Sequence, residues 1–258
     1  MSCASYPNWN WGFVSLMSSL NYAYREVCRA ASSRTQWLWP LTQVLPRTKV
    51  VGMPTPTLEE QFDRIDIYLF DQLLKGSISP GMRILDAGCG AGRNLVYFLR
   101  EGYEVYVADS DARAVDAVRS MARRFAPALP PSNFRVEPVE QMSFDVACAD
   151  VVVCNAVLHF ARDDAHFEAM LQGSWSVLKP GGLFFCRLAS TIGMESQLTH
   201  IQGRRFQSPD GAERYLVDAA LLGSMAERLG GEFAESLKTT VVQDQRSMTT
   251  WVLRKKAR

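Results

Sequence analysis

The sequence predicts an α/β fold: a doubly wound, mostly parallel seven-stranded sheet with an antiparallel last strand. Two observations predict it. Apolar strand-like runs alternate with helical patterns from Thr55 onward, and the chain closes with two strand-like runs joined by the short polar link 243–246. A chain of 258 residues that is 47% hydrophobic can bury the core that such a sheet needs.

The elements follow one another in a regular order. Helices are predicted where apolar residues recur at helical spacing, over 57–75, 91–101, 112–125, 163–178 and 217–229. Strands are predicted in the apolar runs 82–87, 104–108, 134–137, 150–155, 183–189, 232–242 and 247–254. The Val-rich run 150–155 indicates a strand that is covered on both faces. Residues 190–215 are polar and lack a clear period, so we expect an irregular lid there.

Residues 1–53 are predicted to be an atypical extension, disordered or not native, ahead of a domain over 54–258. They hold four of the six tryptophans and a single acidic residue, Glu26. The run 9–24 is too short and too polar to span a bilayer, and it lacks the features of a secretory signal. An amphipathic lid, a weak membrane-surface element and a tail outside the native domain are the open alternatives. We favour the last, with translation starting at Met53.

The net charge and the cysteine content of the chain limit the functions that it can have. The chain has 28 basic and 27 acidic residues, a net charge of +1, so no overall field attracts it to nucleic acid or to a membrane. Its six cysteines form no CxxC pair, and several lie in apolar runs, as expected for small buried hydrophobes. The sequence therefore predicts no metal site and a cytoplasmic location.

The most informative stretch is the strand-to-helix turn over 82–94, Met-Arg-Ile-Leu-Asp-Ala-Gly-Cys-Gly-Ala-Gly-Arg-Asn. Three alternate glycines, Gly88, Gly90 and Gly92, let a ligand approach the backbone closely because glycine has no Cβ. Asp86, at the strand end, indicates which ligand, since a fixed carboxylate is unfavourable beside a pyrophosphate and favourable beside a cation. S-adenosylmethionine (SAM) carries an ammonium and a sulfonium at that end and no phosphate. The turn therefore predicts SAM as the cofactor.

A second acid supports this prediction. Asp109 ends the second strand, 19 residues after Gly90, close to the spacing at which an acid receives the two ribose hydroxyls of a bound nucleoside. Alone, such an acid is more often the cap of the helix that follows. Together with the glycine turn, we expect it to bind ribose.

These residues resemble the class I SAM-dependent methyltransferase family, and the resemblance spans 57–254. The matching pieces are the run 85–92, Asp109, the strand end 155–159 and the helix stop 178–182. Nearest in pattern is the small-molecule subgroup of type 11/12 and tellurite-resistance-like enzymes. The resemblance implies a Rossmann-like fold and methyl transfer from SAM, by in-line displacement, to an unidentified small-molecule acceptor.

The resemblance also implies which residues bind SAM. The glycine turn and the start of 155–158 would contact the methionine portion, and Asp109 the ribose. The expected cofactor-binding residues are Asp86, Gly88, Cys89, Gly90, Gly92, Asp109, Ser110, Val139, Asn155 and Ala156. In many relatives an Asp after the third strand accepts from the adenine amino group, and Pro138 stands at that position here. The Val139 backbone and Glu140 or Gln141 are the available substitutes, although both side chains also fit a solvated loop.

The sequence contains less information about the residues that bind the methyl acceptor. Methyl transfer from a sulfonium needs positioning and, for some acceptors, a base. His159 follows the fourth strand and is the candidate base; simple packing beside Phe160 is the alternative. Arg187 would bind an anionic acceptor or form a structural ion pair, and His166 is expected on a helix surface. The predicted acceptor-binding residues are Tyr68, His159, Arg187, His200 and Arg214.

Three other functions compete with this prediction. An NAD-dependent oxidoreductase needs a third glycine where Arg93 stands, and Asp86 would oppose its pyrophosphate. A nucleic-acid methyltransferase is disfavoured by the near-neutral charge and by the strand end Asn-Ala-Val-Leu at 155–158, which differs from Asn-Pro-Pro-Tyr. A SAM-binding module without turnover stays open, as does the oligomeric state.

Overall fold

The computed structural model describes residues 56–257, so the predictions for residues 1–53 lie outside the described residues. The helices are α1 Leu58–Phe62, α2 Ile67–Leu74, α3 Val96–Arg100, α4 Ala112–Phe125, α5 Asp164–Ser176 and α6 Ala219–Leu229. The strands are β1 Arg83–Ala87, β2 Glu104–Asp109, β3 Phe134–Val136, β4 Ala149–Asn155, β5 Leu178–Ala189, β6 Thr199–Gln202, β7 Arg205–Gln207, β8 Glu213–Tyr215, β9 Gly231–Phe233, β10 Lys238–Val242 and β11 Arg246–Lys255. Among these helices, none has the length and apolarity needed to cross a membrane.

The main sheet has the order β3-β2-β1-β4-β5-β11-β10. Strands β1 to β5 run parallel, and β11 runs antiparallel to both β5 and β10. The predicted α/β fold with an antiparallel last strand is thus confirmed. The carboxyl ends of β1, β2 and β4 lie side by side, where ligands bind in open parallel sheets.

The predicted strand 232–242 is interrupted, and the sheet therefore has eight strands instead of seven. Both pieces, β9 and β10, pair with the same edge of β11. Phe233 lies opposite Leu253 and Lys238 lies opposite Thr250, so four intervening residues face only two residues of β11. The ladder cannot accommodate the extra length and breaks.

Both faces of the sheet are covered. Val151 and Val153 of β4 belong to one buried cluster, which includes Leu69 of α2 and Val115 of α4. The intervening Val152 belongs to the opposite cluster, packed beneath α5 and α6. This two-sided burial explains the continuous apolar run of β4, because both side-chain rows of the strand are shielded from water.

The predicted helix 57–75 is two helices. Thr57 caps α1 through a reciprocal capping box with Glu60. Asp63 then has a positive φ of 50°, which ends this helix. The Asp66 carboxylate caps α2 by accepting from the Tyr68 backbone N–H at 3.0 Å. The apolar spacing runs through the break, which is why periodicity alone missed it.

Residues 190–215 contain ordered strands, so the prediction of an irregular segment is wrong. Strands β6, β7 and β8 form a separate antiparallel sheet. Its strands expose most side chains, so no apolar alternation marked them. Tyr215 anchors the sheet, since its ring stacks on Phe167 and its hydroxyl donates to Asp164 Oδ1 at 2.8 Å.

Candidate functional site

The turn after β1 forms the floor of the site. The backbone N–H groups of Gly88 and Cys89 both donate to the Ala108 carbonyl, at 2.8 and 3.2 Å, which ties the turn to β2. Gly88 has φ +80°, and a Cβ there would lie 2.4 Å from a Val157 methyl group. Glycine is therefore required at this position for both conformation and space.

Asp109 holds the rim of the same turn. Its Oδ2 accepts from the Gly90 N–H and its Oδ1 from the Asp111 N–H, each at 2.9 Å. The carboxylate is thus fixed at the end of β2, and each oxygen keeps a lone pair for a further donor. It has the acceptors that a pair of ribose hydroxyls requires.

Asp86 is a buried carboxylate that lacks, among the described residues, a hydrogen-bond partner for one of its oxygens. It is 2% exposed, and its Oδ2 has no hydrogen-bond partner within residues 56–257. Burial raises the pKa of this carboxyl to about 7; the nearby Arg93 acts against the rise and Asp109 adds to it. Burying an unpaired carboxylate lowers the stability of the folded protein, and a bound cationic ligand would offset this loss.

The end of β4 supplies the opposite wall. Ala156 has φ +64°, a conformation that costs energy for a residue with a Cβ and that clusters at binding sites. Its N–H donates to the Arg187 carbonyl at 2.7 Å, which holds the strained residue in place. The preceding Asn155 is 8% exposed, and both polar atoms of its side chain lack a partner among the described residues.

These elements surround a cavity of about 840 Å³. Eight of the ten predicted cofactor-binding residues line it: Gly88, Cys89, Gly90, Asp109, Ser110, Val139, Asn155 and Ala156. Asp86 lies outside the lining, at the strand end below the turn. Gly92 also lies outside it, and a Cβ there would meet Val118 at 2.9 Å, so this glycine serves the packing of the turn against α4.

One histidine that the sequence predicts on a helix surface lines the cavity. His166 lines the cavity, and its Nε2 lies 3.1 Å from Glu140 Oε1. Its Nδ1 accepts from the Arg162 N–H at 3.2 Å, which leaves the Nε2 proton for the carboxylate. The expectation that His166 is a surface residue is therefore wrong. Helix α5 packs against the short helix 139–141, and helical periodicity does not reveal such a tertiary contact.

His159 does not line the cavity. It is buried, and its Nδ1 accepts from the Ala189 N–H at 3.2 Å. Burial lowers the pKa of its imidazole to about 4, with Arg214 contributing. A neutral ring whose Nδ1 accepts a hydrogen bond carries its proton on Nε2, so neither nitrogen has a free lone pair. This geometry corrects the expectation of a general base; the ring holds the end of β5.

The remaining predicted acceptor residues also lie outside the cavity lining. Arg187 Nη1 is 3.0 Å from Asp66 Oδ2, the structural ion pair weighed as its alternative role, and its guanidinium lies over the Tyr68 ring. Tyr68 also hydrogen-bonds Thr240, and His200 lies exposed on β6. Arg214 pairs with Asp210 within the small sheet. None of these four side chains is among the residues that line the cavity.

Several residues that line the cavity are not among the predicted ligand contacts, including Arg93, Asn94 and Met170. Arg93 and Asn94 directly follow the glycine turn, and that adjacency was an available signal. Met170 gave none, because a methionine at helical spacing is typical of an ordinary core position.

The residues present fit SAM. Asp86 and Asn155 offer unpaired polar atoms at one end, and Asp109 has free acceptor capacity beside the glycine turn. Gly88 leaves an approach to the backbone that a Cβ would fill. Within residues 56–257, no group of three or more His, Cys, Asp or Glu side chains is arranged to hold a metal ion.

Known proteins match both the sequence and the fold. A family profile described as "Methyltransferase domain" matches residues 85–186. The ubiquinone biosynthesis O-methyltransferase of Methylocella silvestris is 32% identical over 55% of this chain and 58% of its own length. The tRNA 5-carboxymethoxyuridine methyltransferase of Escherichia coli is 31% identical over 48% of this chain and 46% of its own length. The chain thus spans about half the length of these curated relatives.

A solved structure shares the architecture. The 1,6-didemethyltoxoflavin-N1-methyltransferase of Burkholderia thailandensis, with bound 1,6-didemethyltoxoflavin and S-adenosylhomocysteine, superposes with a TM-score of 0.58 at 18% identity. The match covers 75% of this chain and 80% of that one, and at this identity it shows the fold alone. Residues 85–186 thus match a methyltransferase domain in sequence, and the described residues share the fold of a solved methyltransferase.

Proposed function

We propose that this protein transfers the methyl group of SAM to a small-molecule acceptor by in-line displacement. The cavity of about 840 Å³ carries the proposal, because it brings the glycine turn, Asp109 and the end of β4 around one space. The unpaired Asp86 carboxylate lies at the strand end that leads into this turn. When bound, SAM supplies an activated methyl group, so the protein's main task is positioning.

Each residue has a definite part in this proposal. Asp86 would accept from the ammonium group, directly or through a water molecule, with the Oδ2 that has no partner within residues 56–257. Asp109 accepts from the ribose hydroxyls while it retains its bond from the Gly90 N–H. Asn155 and Ala156 border the methionine chain. Val139 and Glu140 border the adenine, with Glu140 oriented by His166 at 3.1 Å.

The charges of the small sheet β6–β8 favour a small acceptor over nucleic acid. The arginines of the small sheet and its flanks are already neutralised: Arg204 pairs with Asp218 at 2.9 Å and Arg205 with Glu213 at 2.8 Å. Backbone-binding proteins need cations that are free for phosphates. Because one relative is named as a tRNA methyltransferase, tRNA belongs among the acceptors to be tested. The cytoplasmic location stays a prediction.

Calorimetry with S-adenosylhomocysteine (SAH) tests the cofactor site. We expect wild type to bind SAH and Asp109→Ala to bind it about 10- to 100-fold more weakly, because hydrogen bonds to a charged group are lost. Asp116→Ala is the matched control, since Asp116 is an exposed acid of α4 that pairs with Arg119. Absence of SAH binding by wild type would refute the proposal.

Turnover needs a second measurement. Labelled SAM is incubated with wild-type protein and separate pools of small metabolites and of tRNA, and label is followed into each pool. Transfer into a small molecule that Asp109→Ala reduces is the expected result. Tight SAH binding without transfer to any pool would select the SAM-binding module instead, and transfer to tRNA alone would overturn the choice of acceptor.

A further inference from the structure

Phe160 and Arg162 line the part of the cavity that follows β4, and the proposed cofactor contacts involve neither of them. The chain leaves β4 at Asn155 and then forms the short helix Leu158–Phe160. The cavity of about 840 Å³ lies in the upper part of the range of roughly 300–1,000 Å³ for small-molecule pockets, so it has room for a second molecule beside SAM. These two side chains can therefore contact a second ligand.

Phe160 presents an aromatic ring at the cavity. It is 66% exposed, and Phe233, the other exposed phenylalanine of the described residues, does not line the cavity. The Phe160 ring packs against the buried His159 ring, with centroids 4.6 Å apart and an angle of 69° between the planes. His159 is itself fixed by the Ala189 N–H. An exposed apolar ring on a fixed support offers a face on which a planar ring can stack.

Arg162 adds a positive charge to the same stretch of the wall. Among the described residues, its guanidinium has no ion-pair or hydrogen-bond partner, while its backbone N–H donates to His166 Nδ1 at 3.2 Å. The two acids that follow it are engaged elsewhere, since Asp163 caps α5 and Asp164 accepts from the Tyr215 hydroxyl. An arginine has five N–H donors in a planar fork, so Arg162 can bind a carboxylate through two hydrogen bonds.

The charges around the cavity favour an anion as the second ligand. The lining contains three arginines and two carboxylates, and SAM adds a permanent positive charge at the sulfur that carries the methyl group. Arg93 lies 3.8 Å from Asp66, and Arg64 lies 3.8 Å from its neighbour Asp63. Arg162 is the lining arginine that has no such partner among the described residues. A negatively charged acceptor is attracted by this excess charge, whereas a cationic acceptor is repelled.

Resting on the proposed function, we propose that the methyl acceptor is an aromatic acid, whose ring stacks on Phe160 and whose carboxylate binds Arg162. The two contacts recognise different parts of one molecule. Phe160 discriminates an aromatic ring from a saturated one, and Arg162 discriminates an acid from a neutral compound of the same shape. Each contact can therefore be removed without the other.

Three matched sets of probes separate the ring from the charge. Hydroxybenzoates have both features, the corresponding hydroxybenzamides keep the ring and lose the charge, and the corresponding hydroxycyclohexanecarboxylates keep the charge and lose the aromatic face. Their affinities are measured by ligand-detected NMR titration on protein saturated with SAH, so that the cofactor part of the cavity is filled. We expect wild type to bind the hydroxybenzoates more tightly than either of the other two sets.

Each variant should remove one of the two preferences. Arg162→Gln should weaken binding of the hydroxybenzoates about three- to tenfold and leave the hydroxybenzamides unchanged; the factor is modest because Arg162 is exposed and water screens the ion pair. Phe160→Leu keeps an apolar side chain without the ring. It should reduce the preference for hydroxybenzoates over the saturated acids about two- to tenfold.

Arg113→Gln and Phe233→Leu are the matched controls. Arg113, at the start of α4, and Phe233, on β9, are also exposed, and neither lines the cavity. Both controls should keep the two preferences of wild type. A loss of either preference in its control would show that the measurement reports a general change of the protein, and it would count against the inference.

Natural acceptors are tested with the same variants. Metabolites are divided on an anion exchanger into retained and unretained fractions before incubation with labelled SAM, and we expect label in the retained fraction, with less in Arg162→Gln.

The inference is overturned if no hydroxybenzoate binds the SAH-loaded wild type, if Arg162→Gln and Phe160→Leu keep the wild-type preferences, or if label enters the unretained fraction alone. These outcomes leave the proposed function intact, because wild type still binds SAH. Failure of wild type to bind SAH would instead refute the proposed function itself.

Discussion

Replacing Asp86 by Asn is expected to stabilise the unliganded protein and to weaken SAM binding at the same time. Burial raises the pKa of Asp86 to about 7, whereas an ordinary Asp has a pKa of 3.8. Ionising this carboxyl in the folded protein is therefore unfavourable. Below about pH 4 the group is protonated in both folded and unfolded chains, and no penalty arises.

The magnitude follows from linkage. As the pH rises from about 4 to about 7, the unfolded chain releases the proton while the folded protein keeps it, so the free energy of unfolding falls by about 1.4 kcal/mol per pH unit. Above pH 7 the penalty is complete, at about 4 kcal/mol. The Asn carboxamide is also buried without a full set of partners, which costs about 1–3 kcal/mol. We expect a net gain of about 1–3 kcal/mol at pH 8.

Urea unfolding of Asp86→Asn and wild type, without ligand, at pH 5, 6, 7 and 8 measures this gain. The difference in unfolding free energy should increase with pH and level off above pH 7. Asp116→Asn, at an exposed position of α4, is the control for the loss of one carboxylate and should show no such trend. A gain that is absent, or equal at pH 5 and pH 8, would refute the reasoning. In calorimetry at pH 8, SAH should bind Asp86→Asn about 10- to 100-fold more weakly.

Two further predictions concern the neighbouring elements. Gly88→Ala should abolish SAH binding in calorimetry because its Cβ would meet Val157 at 2.4 Å, whereas Gly81→Ala, with a similar φ of +87° and open space, should cost some stability and leave binding unchanged. A Gly88→Ala protein that binds SAH normally would contradict the proposed role of the turn. His159, with a pKa of about 4, should show a neutral Nε2–H ring in nitrogen NMR spectra at pH 6. As the pH falls from 6.5 towards 4, the unfolded chain binds a proton at His159 that the folded protein does not, so the free energy of unfolding should fall. An imidazolium signal at pH 6 would show that burial and the Ala189 N–H do not control this ring.

Local sequence patterns were sufficient to predict the helices and strands that bury a regular apolar face. Helix α4 begins and ends where its spacing predicted, over Ala112–Phe125, because one clear stripe of apolar residues defines it. The break after α1 was not predictable from periodicity, since it depends on the positive φ of Asp63, which lies between the capping residues of α1 and α2. The small sheet β6–β8 escaped prediction because its exposed strands leave no alternation to detect.

The sequence was sufficient to predict the alternating strands and helices of the parallel sheet, the glycine turn with its acid Asp86, and the acid Asp109 at the next strand end. These are short-range features, in which neighbouring residues define the local chemistry. Features that depend on contacts between distant segments became known from the folded protein alone. In the folded protein Asp86 is buried with one oxygen unpaired among the described residues, and His159 Nδ1 accepts a hydrogen bond from the Ala189 N–H. Asp66 lies between Arg93 and Arg187. Ionisation and hydrogen-bonding capacity depend on burial and on long-range neighbours, so those assignments required the fold.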